Sequence, residues 1–269
     1  MKQSRRKFLR NSLLSIMGLL FLDTFWLEKF FIKTLNFHLN DQSFNPIKLL
    51  QVSDLHLKSI RWRHRRLIKK INDLQPDLIA FTGDAIEDQK YIDLLDQFLQ
   101  QIDPTIQKVA IMGNWEYWGH VDVSQLRKLY KRHNCDLLIN ENRQYRFNEQ
   151  TINITGIDDW VGSHADYKAA TADLKDADYH VVLTHCPAHK DQIDRERGAE
   201  KIDLILSGHT HGGQIKFFGF APYTPPGSGH YVRGWYNDEA TNFYVSSGVG
   251  TSVFPFRLGS RAEITLFHI

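Results

Sequence analysis

The sequence predicts an α/β fold, built either on one mixed β-sheet or on two packed sheets with helices outside. In the first half, short apolar runs typical of buried strands alternate with segments whose apolar positions recur every three or four residues, as in repeated βα units. In the second half, short strand-like segments follow one another without long helices between them. With 42% hydrophobic and 24% charged residues, the 269-residue chain can form one substantial core.

The first 45 residues are predicted to be a leader and linker, separate from a catalytic domain at 46–269. The pair Arg5 and Arg6, followed by an apolar segment over 13–22, is typical of a twin-arginine export signal. No small-residue cleavage site follows, and aromatic residues continue beyond the apolar segment. We therefore expect an uncleaved membrane tether, either spanning or shallowly inserted, and the alternative is an ordinary basic amphipathic start.

Charge is distributed unevenly along the chain. The leader holds seven Lys or Arg against three acids, so that a whole-chain charge of +2 leaves the remaining domain at −2. A slightly acidic domain argues against general nucleic-acid binding. Cys135 and Cys186 offer neither a disulfide framework nor a C-x-x-C pair. Cys186 directly follows His185, but a packing role explains it at least as well as a nucleophilic one.

Five apolar runs predict buried strands, each ending directly before a polar motif. These runs are 47–53, 77–82, 108–112, 179–184 and 202–207. Helical patterns lie between them, at about 62–75, 91–102, 122–134 and 186–197. Four further segments predict short strands: 151–156, 214–218, 243–247 and 262–267. A proline-rich loop at 222–229 is predicted to lack regular structure and to border the site.

The polar motifs carry metal-binding residue types. They are Asp54-Leu55-His56, Gly83-Asp84, Gly113-Asn114-Trp115-Glu116, Thr184-His185 and Gly208-His209-Thr210-His211. Because each follows a strand, we expect the five loops to converge at one sheet edge. Carboxylate, imidazole and amide donors without thiolates suit Mn, Fe or Zn in a catalytic site. The sequence therefore predicts a two-metal hydrolase site.

In this order and at these separations, the motifs resemble the calcineurin-like metallophosphoesterase superfamily, over about residues 47–267. The resemblance implies an αββα sandwich of two packed mixed β-sheets flanked by helices. It also implies seven ligands for two divalent metal ions: Asp54, His56 and His211 for the first, Asn114, His185 and His209 for the second, and Asp84 bridging both. A water between the ions would then hydrolyse a phosphoester without a protein nucleophile.

The third motif departs from the family pattern, which commonly has histidine where this chain has Trp115. Indole cannot donate the mobile proton that an imidazolium can, so either the leaving group is good or another residue assists. The catalytic candidates are Asn114, as a ligand, and Glu116 and His120, as the nearest ionisable groups in sequence. Trp115 and Trp118 are interpreted as packing residues, with an apolar wall for an acyl chain or a nucleobase as the alternative.

Residues 212–215 and 247–251, with Arg257 and Arg261, resemble a narrower bacterial branch that is often membrane-associated. Some related enzymes cleave the pyrophosphate of UDP-2,3-diacylglucosamine in lipid A biosynthesis, and others are phosphodiesterases. We therefore expect a phosphodiesterase or pyrophosphatase whose substrate is lipid-linked. Use of the twin-arginine export machinery would place the domain on the extracytoplasmic face of the bacterial inner membrane, whereas lipid A precursor cleavage requires the cytoplasmic face.

Three alternatives remain open at this stage. The enzyme could instead act on a soluble substrate, as a phosphomonoesterase or a nucleotide phosphodiesterase. The chain could also be a non-catalytic metal-binding sensor, since the third motif is altered. Finally, the basic run at 61–70 fits either contact with anionic headgroups or the solvated face of a helix that buries Leu67, Ile68 and Ile71.

Overall fold

The computed structural model describes residues 5–22, 24, 28, 31–39, 45–237 and 241–269, and builds two six-stranded sheets from them. The strands are β1 Lys33–His38, β2 Lys48–Val52, β3 Leu78–Thr82, β4 Gln107–Ile111, β5 Cys135–Leu137, β6 Glu141–Phe147, β7 Gln150–Gly156, β8 Tyr179–Leu183, β9 Leu204–Ser207, β10 Gly234–Asn237, β11 Asn242–Val245 and β12 Glu263–His268. The α-helices are α1 Arg5–Leu22, α2 Trp62–Leu74, α3 Ile92–Leu99, α4 Asn114–Trp118, α5 Val123–Arg132, α6 Tyr167–Thr171 and α7 Lys190–Glu196. Single 3₁₀ turns occur at Gln89–Tyr91, Pro187–His189 and His211–Gly213.

Both sheets are mixed, which confirms the predicted fold class. The first has the order β1-β12-β2-β3-β4-β5, in which β2 to β5 are mutually parallel and β12 runs antiparallel to β2. The second has the order β10-β11-β9-β8-β7-β6, with β11, β9, β8 and β7 parallel and an antiparallel strand at each edge. In the first sheet β2 to β5 all end on one side, opposite to the parallel pair β1 and β12, and in the second sheet β7, β8, β9 and β11 all end on one side.

Helices cover the outer face of each sheet, and the inner faces pack against each other. In β2, Leu49 belongs to the core between the sheets, whereas Leu50 packs outward with α2 and α3. In β9, Leu206 lies in the inner core and Ile205 in the outer one, with α6 and α7. Because these strands are buried on both faces, their sequences are continuous apolar runs rather than alternating ones.

The predicted strand at 214–218 does not form. Gln214 and Phe218 have φ values of 37° and 49°, which an extended strand cannot accommodate, and only an isolated bridge joins Ile215 to Leu258. The helix predicted over 186–197 begins as a 3₁₀ turn at Pro187 and becomes α-helical at Lys190. Four strands, β1, β5, β6 and β10, were not predicted.

The leader contributes a strand to the domain. Residues Lys33–His38, assigned to the linker by the sequence, pair in parallel with β12, and Leu35 and Phe37 pack against the inner core. Part of the predicted linker is therefore paired with the first sheet. The buried Glu28 also contacts the domain, since its carboxylate accepts a hydrogen bond from Ser260 N at 3.2 Å.

The expected membrane tether is described only in part. Helix α1 exposes large apolar side chains, including Phe8, Leu9 and Leu13. Most of the aromatic segment after it, at residues 23, 25–27 and 29–30, lies outside the described residues. Within the part of the chain that is described, no helix combines the length and apolar character needed to cross a bilayer.

Candidate active site

The expected ligands lie in loops that leave the carboxyl ends of strands in both sheets. In the first sheet these are the loops after β2, β3 and β4, and in the second sheet those after β8 and β9. The seven residues, all buried, are Asp54, His56, Asp84, Asn114, His185, His209 and His211. The five loops therefore converge, but across the junction of two sheets rather than along the edge of one.

Six of these residues form two groups of potential metal ligands, with the ligand atoms of each group within 4.8 Å of one another. The groups are Asp54, His56 and His211, and Asp84, His185 and His209. Asp84 lies between them, because its Oδ2 is 3.2 Å from His185 Nε2 and 3.6 Å from His56 Nε2. Its carboxylate is thus placed to face both groups, as a bridging ligand must.

The spacing of the ring nitrogens fits metal ions. His56 Nε2 is 3.1 Å from His211 Nε2, and His209 Nδ1 is 3.2 Å from His185 Nε2. Two nitrogens that bind one tetrahedral ion at about 2.1 Å would lie about 3.4 Å apart, close to both separations. Asn114 Oδ1 is buried and has no hydrogen-bond partner among the described residues. Such an oxygen suits a cation better than an empty cavity.

Hydrogen bonds to backbone carbonyls orient the two imidazoles of the second group, His185 and His209. His185 Nδ1 lies 2.8 Å from the carbonyl oxygen of Thr82, and His209 Nε2 lies 2.7 Å from that of Pro226. A carbonyl accepts only, so these nitrogens carry the proton and donate it. The opposite ring nitrogens, which face Asp84 and each other, are then free to bind metal.

The charge states of Asp84 and His211 suit metal binding, whereas burial is outweighed at His185 by the charge of Asp84, which raises the pKa of that imidazole, so a metal ion would have to displace its proton. Burial alone would raise the pKa of Asp84, but the charge and hydrogen bond of His185, together with the charge of His56, lower it to about 2. Burial lowers the pKa of His211 well below its ordinary value, and the charges of His56 and Arg257 lower it further. At pH 7 Asp84 is therefore an anion and His211 is neutral, the forms in which these groups bind metal.

Five of the seven ligand residues have a left-handed backbone conformation. Their φ values are 52° for Asp54, 43° for His56, 54° for Asp84, 72° for His209 and 52° for His211. Asp and His tolerate this region better than most residues, yet each such residue costs about 1–3 kcal/mol. The neighbouring Gly208 is required by space, since a Cβ there would overlap Ser53 Oγ and lie 2.5 Å from Asp54 Oδ2.

Glu116, a candidate proton donor from sequence, lies beneath the Asp84 loop instead. Its buried carboxylate accepts hydrogen bonds from the backbone N–H groups of Gly113, Asp84, Ala85 and Ile86. Burial and the charge of Asp84 raise its pKa to about 7, and backbone donors oppose that rise. Glu116 does not line the cavity above the ligands. This placement favours a structural role that fixes two of the ligand loops.

Arg257 supports the first group from below. Its guanidinium is fully buried and donates to the carbonyl oxygens of His211, Ser247, Gly248, Gly250 and Ser260. Burial lowers its pKa to about 10, so it remains charged at pH 7. Arg257 therefore ties the His211 loop to the segment at 247–250. In the sequence, Arg257 stood out only through the resemblance to the bacterial branch, and nothing there indicated that it is buried.

Glu87 is a further residue that the sequence analysis did not single out. Its Oε1 lies 2.9 Å from His56 Nδ1, and its Oε2 lies 2.5 Å from Lys58 Nζ. The carboxylate thereby orients the imidazole so that Nε2 faces the first group. No motif spacing distinguishes Glu87 from the other acids of this loop.

An apolar cavity of about 420 Å³ opens above both groups. Its lining combines expected ligands with apolar side chains from helix α4 and two loops: Asp84, Asn114, His209 and His211 with Trp115, Trp118, Pro222, Tyr223, Pro225, Pro226, Val253 and Phe254. The two tryptophans pack edge to face with ring centroids 5.5 Å apart, and Trp118 is 49% exposed. They form a cavity wall, which corrects the interpretation of this pair as packing residues. The proline-rich loop borders the site, as expected.

The remaining candidates lie away from the cavity. His120 is exposed just after α4, with its backbone N–H bonded to Tyr117 O. Cys186 is fully buried, and its thiol donates to Asp159 at 3.3 Å. Burial and the charge of Asp159 raise the pKa of this thiol well above its ordinary value, so it stays protonated. Neither residue is placed to act on a substrate in the cavity.

Comparison with known proteins gives an independent indication of family. The model of the calcineurin-like phosphoesterase family matches residues 47–213. The uncharacterized metallophosphoesterase YkoQ of Bacillus subtilis is 32% identical over 232 residues, which cover 83% of each chain. The transmembrane protein with metallophosphoesterase domain of Bos taurus is 31% identical, over 83% of this chain and 53% of its own length. Among solved structures, GAP50, the anchor in the inner membrane complex of Plasmodium, is 11% identical with a TM-score of 0.50, over 82% of this chain and 80% of that one. This last similarity concerns the fold alone.

The structural role of Glu116 is testable by Glu116→Gln. The amide nitrogen cannot accept from the backbone N–H groups that it would face, so we expect a loss of about 2–4 kcal/mol in the free energy of unfolding, measured by urea denaturation. The exposed Glu149→Gln serves as a control and should stay within about 0.5 kcal/mol of the wild type. If the stability of Glu116→Gln were unchanged and the decrease of kcat at alkaline pH disappeared, Glu116 would instead be a proton donor.

Proposed function

The chain belongs to the calcineurin-like phosphoesterase family and is a metal-dependent phosphoric ester hydrolase, and we propose that its substrate is a phosphodiester or a pyrophosphate that carries an apolar group. The observation that supports this choice is the apolar cavity, which lies directly over the two groups of buried ligands. A substrate bound there would place its phosphorus at the ligands and its apolar part against the cavity wall.

We further propose that all seven motif residues are ligands. Asp54, His56 and His211 would hold one divalent ion, Asn114, His185 and His209 a second, and Asp84 both. Ions bound there would lower the pKa of a water and neutralise phosphoryl oxygens. The chain's own contribution is to hold the ligands rigidly and to keep Asp84 between them.

The residues that line the cavity indicate which kind of leaving group the substrate carries. Besides Asp84, His209 and His211, which are ligands, the only ionisable side chain among its described lining residues is that of Tyr223. Tyr223 is 71% exposed. The described lining of this cavity thus offers no evident acid for a poor leaving group, and Trp115 stands where the family commonly has histidine. Diesters with acidic leaving groups and pyrophosphates need no such acid, which favours them over alkyl monoesters.

The apolar part of the substrate is proposed to be an acyl chain, as in lipid-linked pyrophosphates of the UDP-2,3-diacylglucosamine type. Support comes from a hairpin between two segments that line the cavity, 213–215 and 222–223, in which Phe217 and Phe220 exchange two backbone hydrogen bonds of 2.9 Å. Phe218, at its tip, is fully exposed, and Phe220 is 69% exposed. Large exposed aromatic side chains beside an apolar cavity are typical of surfaces that meet lipid.

Membrane association is accordingly part of the proposal. The leader helix and the Phe217–Phe220 hairpin would both contact the bilayer, and the bovine relative is named as a transmembrane protein. If the leader uses the twin-arginine export machinery, the domain works on the extracytoplasmic face of the inner membrane. A substrate from lipid A synthesis would place it on the cytoplasmic face instead.

The proposed chemistry is tested by hydrolysis of bis-p-nitrophenyl phosphate and p-nitrophenyl phosphate by the full chain with added Mn²⁺. We expect the diester to be cleaved faster, and Asp84→Asn to reduce its cleavage by at least about 100-fold, since even outer-shell partners of metal sites account for losses of up to that size. Asp73→Asn removes an exposed carboxylate from α2 and should leave the rate unchanged. Faster cleavage of the monoester, or no cleavage of either with two ions bound, would contradict the proposal.

Membrane contact by the hairpin is tested by co-sedimentation with vesicles of anionic phospholipid. We expect the double variant Phe218→Ser, Phe220→Ser to bind several-fold more weakly than the wild type, because it removes two large apolar side chains from the interface. Trp160→Ser, an exposed tryptophan outside the cavity lining, is the matched control. Equal binding by the hairpin variant and the control would assign any membrane contact to the leader alone.

A further inference from the structure

A second, smaller cavity of about 240 Å³ adjoins the first group of ligands. Its lining includes the expected ligand His56 and three basic residues, Lys58, Arg61 and Arg63. The other lining residues are Ser59 and, in one short loop, Thr251, Val253, Phe254 and Pro255. Val253 and Phe254 also line the apolar cavity, so the two cavities share a wall. The smaller one is therefore part of the same surface as the proposed active site, but its chemistry is basic rather than apolar.

Two of its three cations lack an acidic partner. Lys58 pairs with Glu87, whereas neither Arg61 nor Arg63 forms an ion pair within the described ranges. Arg61 Nε donates to the hydroxyl of Ser59 at 3.0 Å, which leaves its terminal nitrogens for another acceptor. A guanidinium beside a cavity and without a carboxylate is a frequent feature of phosphate-binding sites.

Arg63 is the more informative of the two. Its Nε is fixed by a hydrogen bond of 3.0 Å to the buried His64, so the guanidinium is held in place. Its Nη1 is buried and has no hydrogen-bond partner in the described part of the chain. Burial and the charge of Arg61 lower its pKa only to about 10, so it is a cation at pH 7. Arg63 also lines the cavity, so an anion bound there would lie beside a guanidinium whose charge has no carboxylate partner among the described residues.

We propose that this cavity binds a second anionic group of the substrate, such as a second phosphate, while the scissile phosphate lies over the metal ligands. The proposal rests on the proposed function and adds a specificity determinant to it. The substrate would then be amphiphilic in a defined order: an apolar group in the large cavity, a phosphorus at the ligands and a second anion against Arg61 and Arg63. His56 is both an expected metal ligand and a lining residue of the smaller cavity, so it lies between the scissile phosphorus and the second anion.

The test is calorimetric binding of methylenediphosphonate and methylphosphonate to the full chain with Mn²⁺ in excess. The two ligands differ by one anionic group and neither is turned over, so the measurement does not depend on hydrolysis. We expect the wild type to bind the diphosphonate about 10- to 100-fold more tightly, as one charge-assisted pair predicts. Arg63→Gln should abolish most of this ratio, and Arg63→Lys, which keeps the charge, should restore part of it.

Arg65→Gln is the matched control, because it removes the same charge from the exposed face of the same helix. It should leave the ratio unchanged, and Arg61→Gln provides a second test if Arg63→Gln does not fold. A wild-type ratio near one, or an unchanged ratio in Arg63→Gln, would overturn the proposal. The same applies if Arg63→Gln weakens only vesicle binding, because the cavity would then face lipid headgroups. If the diester is not hydrolysed but the diphosphonate still binds more tightly than the monophosphonate by the expected factor, the proposed function is overturned and the anion site remains.

Discussion

The structure is organised around the burial of two carboxylates, Asp54 and Asp84, among four imidazoles at the junction of two sheets. Both carboxylates are almost inaccessible to solvent. Charged groups removed from water require partners of opposite charge. Imidazoles supply that charge only when they are protonated, and the ring nitrogens that face one another at about 3 Å must be deprotonated to bind metal. Two bound cations would neutralise the buried carboxylates, so the fold and the metal site depend on each other.

Holding these groups together distorts the backbone, and two buried charged residues offset that distortion. Five ligand residues adopt left-handed conformations, which persist only where their surroundings determine them. Glu116 accepts four N–H groups around the Asp84 loop, and Arg257 donates to five carbonyls around the His211 loop. Glu116 and Arg257 thus fix different loops of the site, and neither lines the cavity above it.

The fold class and the positions of the ligand loops could be predicted from sequence because both depend on local patterns. A strand buried on both faces is a continuous apolar run, and a loop at its end carries polar residues. The supports could not be predicted, since Arg257 and Glu87 act through contacts with residues distant in sequence. Strand β6 was missed because its outer face is solvated, and 214–218 was mistaken for a strand because apolar composition does not reveal positive φ values. The role of Trp115 and Trp118 also depended on tertiary context.

The position of Asp84 between the two groups of ligands leads us to expect that it is shared between two metal ions. Elemental analysis of the full chain, loaded with Mn²⁺ and freed of excess metal, tests it most directly when the wild type is compared with His211→Ala and Asp84→Asn. We expect two ions per chain in the wild type, about one in His211→Ala, which loses a ligand of the first group only, and fewer than one in Asp84→Asn. A wild type with a single ion, or an Asp84→Asn variant that retains two, would contradict it.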